Sequence, residues 1–142
     1  MKSLTDVRAI IAVVAAMGCG SATAPPLSVT TYTLSSINGT PLPFTEPSTN
    51  STIVSGSIVL IGSDSAEVND LTKPANPNGD PVAVGHVGFD RVVRSGDTLV
   101  LTPLTPFAAV DTATLRGTQL VVRHHVTTAA STPIETQVYV AQ

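Results

Sequence analysis

The chain has 142 residues, room for one domain, and 42% of them are hydrophobic, enough apolar material for a single core. Seven Lys and Arg against ten Asp and Glu give a net charge of −3 with no basic cluster, which argues against a nucleic-acid partner. Charged residues make up only 12%, and a single cysteine excludes an intramolecular disulfide framework, so stability must come from the core.

The first eighteen residues read as a secretory signal. Lys2 and Arg8 are followed by the apolar run Ala9 to Met17 and the small Gly18. That run is well short of the ~20 residues a spanning helix needs. Cys19 follows directly. The junction Ala16-Met17-Gly18-Cys19 resembles the lipobox of bacterial lipoproteins, although Ala16 and Met17 stand where that family prefers Leu and then Ala or Ser. The resemblance implies that Cys19 is lipidated and becomes the new N-terminus. Two other readings stay open: cleavage near Ala22-Thr23-Ala24, and a free or intermolecularly paired thiol. Residues 20–28 are small, polar and carry Pro25 and Pro26, as in a tether between lipid and fold. The expected organisation is a signal peptide over 1–18, a lipidated N-terminus and tether over 19–28, and a folded domain over 29–142.

Beyond the tether, short period-two runs are cut by Gly, Pro, Asn and Asp. The patterning predicts eight strands, at 29–37, 53–61, 65–71, 82–94, 98–102, 107–115, 119–127 and 134–141. The fourth is long, and Gly85 and Gly88 suggest a bulge or bend within it. Tight turns at Gly62-Ser63-Asp64, Ser95-Gly96-Asp97 and Arg116-Gly117-Thr118 alternate with longer or proline-bearing connections at 38–52, 72–81, 103–106 and 128–133. In an up-and-down meander that alternation gathers the tight turns at one end and the long loops at the other. The expected fold class is therefore all-β: a single antiparallel up-and-down meander of about eight strands forming a small barrel. The tether joins at the tight-turn end, and the loop at 38–52 is expected to tolerate truncation.

The phrases beginning at Tyr32 (Tyr-Thr-Leu-Ser-Ser-Ile-Asn-Gly-Thr-Pro-Leu-Pro), Ser55 (Ser-Gly-Ser-Ile-Val-Leu) and Ser95 (Ser-Gly-Asp-Thr-Leu-Val-Leu-Thr) resemble small bacterial lipoproteins with a lipocalin-like or META-like antiparallel barrel. The resemblance implies a lipid-anchored envelope protein and transfers no catalytic residue. Gly20 is not the Asp that retains some lipoproteins in the inner membrane, so the outer membrane is the expected address.

No motif points to an enzyme. His124 and His125 are adjacent on one strand, so alternation sends them to opposite faces, with His124 inside the barrel and His86 approaching across the lumen. A metal site would need a third ligand, and a buried histidine satisfied by a hydrogen bond is the commoner arrangement, so neither a metal nor a cofactor is expected. Asp64, Asp80 and Asp97 sit in Gly-containing turns, and Asn76 to Asp80 lacks the full calcium-loop pattern. Glu67, Asp70, Asp90, Asp111 and Glu135 show no paired spacing. No serine lies in an esterase elbow or a Ser-x-x-Lys motif, and there is no phosphate-binding loop. Phe44 and Phe107 belong to the long-loop side, either as contacts for a partner or as a plug folded into the barrel mouth. The expectation is a non-enzymatic, lipid-anchored module of the bacterial envelope that binds a small hydrophobic ligand or another envelope protein. The alternative is an inhibitor or protection protein that offers its long loops to an enzyme.

Overall fold

A computed structural model describes residues 27–75, 82–106, 108–126 and 134–142. The signal segment, Cys19, the turn at 76–80, Phe107 and the whole connection at 128–133 lie outside the described residues. Within them the chain is all-β. Eight strands close a barrel in chain order: β1 (Val29–Ile37), β4 (Thr52–Ile61), β5 (Ser65–Lys73), β6 (Val84–Ser95), β7 (Thr98–Pro103), β8 (Asp111–Arg116), β9 (Gln119–His125) and β10 (Ile134–Ala141). Every neighbouring pair is antiparallel. β1 pairs with both β10 and β4, so no barrel edge is left open along that seam.

Two further strands arise where a loop was expected. β2 (Thr40–Pro41) pairs with the end of β1, and β3 (Phe44–Thr45) pairs with the start of β4. Asn38 and Gly39, at φ of 51° and 80°, turn the chain from β1 into β2, which is the left-handed backbone an Asn-Gly hairpin turn requires. Leu42 and Phe44 pack half-buried against the core. The segment 38–52 is thus tied to the barrel, contrary to the expectation of a freely truncatable loop. It was illegible because two-residue strands are too short to display a period.

Other expectations differ too: β5 runs on to Lys73, β6 begins at Val84 and β9 ends at His125. The strand expected from residue 107 begins at Asp111, since Ala108 to Val110 pair with no neighbour. β6 needs no bulge at Gly85 or Gly88, both of which stay in register with β5. Its length has another cause: residues 84–91 pair with β5 while residues 90–95 pair with β7, the stagger that barrel closure imposes. The register shifts lie instead between Leu34 and Ser36 in β1 and between Ile53 and Ser55 in β4, where those strands part to accommodate β2 and β3.

The tight turns gather at one end as expected, with Gly62, Gly96 and Gly117 at φ of 60–64°. Gly62 donates to Ser28 O, and Ala141 donates to Thr118 O, so β1 begins and β10 ends beside those turns. The core fills this half of the barrel. Tyr32, Ile58, Leu99, Leu101, Ala113, Leu120 and Val122 point inward and are buried there, while Ile37, the last residue of β1, is buried at the far end beside β2. At the other end the packing stops short.

Candidate functional site

Alternation along the inward faces sets what occupies the open half. In β10 the inward residues run from Tyr139 through Gln137 to Glu135; in β9 they run from Val122 to His124; in β8 from Ala113 to Asp111; in β5 from Val68 to Asp70. Each series changes from apolar to polar on nearing the mouth. The result is a cavity of about 560 Å³, floored by Leu34, Ile58, Leu101 and Val122 and rimmed by Asp70, His86, Asp90, Asp111, His124 and His125. Its volume lies in the range of small-molecule sites, about 300–1,000 Å³.

The rim is organised by two cross-strand His–Asp pairs. His124 Nδ1 lies 2.7 Å from Asp111 Oδ2, and His86 Nδ1 lies 3.1 Å from Asp70 Oδ2, which also accepts the Thr72 hydroxyl at 2.7 Å. His124 and His125 do not diverge as alternation predicts. The His125 backbone N–H donates to Asp111 Oδ1 at 2.9 Å, and its Nδ1 lies 3.4 Å from the same oxygen. His125 is the last residue of β9, and its N–H turns to a side chain rather than onward along a ladder. Asp111 therefore holds both rings at the mouth.

These neighbours shift proton affinities. The hydrogen bond with Asp111 raises the His124 pKa above its usual value, with help from the charges of Asp111, Glu135 and Asp70, while burial of the ring opposes the shift. Burial raises Asp90, the Asp111 charge adds to that, and His124 pulls it back. Burial also raises Glu135, aided by Glu46 in the β3–β4 connection; His124 and a hydrogen bond from Gln137 oppose. Tyr139, buried with its hydroxyl donating to Gln137 Oε1 at 2.8 Å, stays a neutral phenol because burial pushes its pKa up strongly. An imidazole oriented by a carboxylate has the geometry of a general base. The described lining residues include no serine or cysteine for it to activate, and Thr105 and Tyr139 carry the only hydroxyls there.

Of the residues marked from sequence, Phe44 lies in β3 and packs against the core, while Cys19 and Phe107 fall outside the described residues. His86 and His124 share the cavity, each paired to its own aspartate. Among the described residues no three His, Cys, Asp or Glu side chains converge as metal ligands. The grouping of Asp70, Asp90 and Asp111 was missed because their spacing along the chain carries no pattern. A signal did exist. Counting outward from the Gly117-Thr118 turn brings Asp111 opposite His124, one step beyond the Thr112–Arg123 pair. No family model, curated protein or solved structure matches the chain.

Proposed function

We propose that the protein is a non-enzymatic, lipid-anchored binding module of the bacterial envelope that holds a small ligand in the open end of its barrel. One observation carries the reading: a cavity of about 560 Å³ with an apolar floor and a polar rim, in a barrel whose other half is filled. Anchorage rests on Cys19 and its resemblance to a lipobox, with the outer membrane as the address. β1 starts beside the tight turns, so the tether enters at the filled end and the mouth lies at the opposite pole. Inhibition would call for an ordered loop protruding from a filled core, whereas segment 38–52 is tied along the barrel by β2 and β3 and the cavity at the mouth is open.

A second reading, contact with another envelope protein, draws on Val87, Phe89, Val93 and Leu104, which are more than half exposed on and beside β6. Native mass spectrometry of the protein isolated from its own envelope separates the two. A non-covalent small-molecule mass that disappears in Val122→Phe, which obstructs the cavity floor, supports ligand carriage; a bare polypeptide in both samples overturns it. For the anchor, Cys19→Ser should move the protein from membrane to soluble fractions and abolish lipid labelling. Unchanged membrane retention would sink that part.

A further inference from the structure

The charge of the rim is lopsided. Asp70, Asp90 and Asp111 face one apolar cavity, and buried Glu135 stands in register beside His124 at its edge. The Lys and Arg side chains beyond the signal segment are Lys73, Arg91, Arg94, Arg116 and Arg123, and none of them lines the cavity. Residues 76–81, 107 and 127–133 contain no Lys or Arg either, so no Lys or Arg from those segments can neutralise the carboxylates. The histidines compensate in part: His86 is committed to Asp70, while His124 and His125 both sit on Asp111. Asp90 is the carboxylate that none of them pairs with at salt-bridge distance.

A carboxylate beside an apolar floor loses hydration without regaining it from a fixed counter-charge, which costs the fold free energy. Low-dielectric walls also focus the resulting negative potential into the cavity. The complementary occupant carries its own positive charge at one end and hydrocarbon at the other. Resting on the small-ligand reading above, we propose that the cavity binds an organic cation with an apolar body. Its ammonium or guanidinium group lies against Asp90 in the field of Asp111, and its hydrocarbon lies over Leu34, Ile58, Leu101 and Val122. A neutral molecule of the same shape gains only the floor. An anion meets repulsion at the rim.

Three probes of one shape test this by calorimetry on the full chain at neutral pH: 1-naphthylmethylammonium, 1-naphthylmethanol and 1-naphthoate. The ammonium should bind about tenfold or more tightly than the alcohol, a difference of roughly 1.4 kcal/mol, and the carboxylate should be weakest. In Asp90→Asn the ammonium should lose about tenfold while the alcohol is nearly unaffected, with thermal unfolding confirming that the variant is folded. Equal affinity for all three, or preference for the anion, overturns the cation assignment and leaves ligand binding standing. A preference that survives in Asp90→Asn overturns the placement of the charged group. Binding of none of the three overturns the cavity reading itself.

Discussion

The proton on His124 is favoured by the hydrogen bond to Asp111, 2.7 Å away, and opposed by burial of the ring. Because its pKa in the fold lies above the ordinary 6.5, His124 contributes stability that is fully present below that value and is lost as pH rises through the raised one. Asp90 and Glu135 act in the same direction for a different reason. Burial raises both above their ordinary 3.8 and 4.5, so the fold is favoured while they are neutral and loses that advantage as they ionise. The contributions of the three groups therefore share a sign: they make the melting temperature fall as pH rises from about 4 to about 8. Asp90→Asn should flatten the acid part of the fall, and His124→Gln the part above about pH 6.5. A slope unchanged in both variants would remove these groups as its source. The alternation rule placed His124 correctly and His125 wrongly. That rule describes residues inside a strand, and His125 ends one.

At the scale of the element, strands long enough to show period two were legible, and β1 runs over the expected residues 29–37. Turns that demand a left-handed residue were legible for the same physical reason, since only Gly and Asn adopt that backbone cheaply. The parting of β1 from β4 was not legible, because it depends on a contact across the sheet. At Gly56 an added Cβ would stand 3.1 Å from Leu34 Cδ2 and 3.3 Å from the backbone oxygen of Asn69. Leu34 lines the cavity and can yield into it; the β5 backbone cannot move without disturbing the sheet. Gly56→Ala should accordingly cost about 1–2 kcal/mol by overpacking. Denaturant unfolding reads the cost directly, and an unchanged midpoint would mean that β5 shifts freely there. Phe44 tests the neighbouring element. Half-buried on a two-residue strand, it should cost about 1–2 kcal/mol on truncation to Ala, below the 3–5 kcal/mol of a fully buried ring.

The whole barrel divides into a half that carries stability and a half that carries the cavity, and the two should respond separately to mutation. Closure joins β1 to β10 across nearly the whole sequence, while most of the fully buried side chains lie in the filled half. Leu120 is fully buried there, so Leu120→Ala should cost about 2–5 kcal/mol, because neighbouring strands held by ladders on both sides cannot collapse onto the void. Asp70 stands at the other pole with its side chain 41% exposed, where a substitution away from the core typically changes stability by about 0.5 kcal/mol or less. Asp70→Asn should therefore leave the unfolding midpoint nearly in place while weakening the hold on a cationic probe. The paired measurement is chemical unfolding and probe affinity on the same two variants. Loss of stability from the rim change as large as from the core change would mean that the carboxylates brace the barrel, and the polar mouth would then be a structural collar rather than a site.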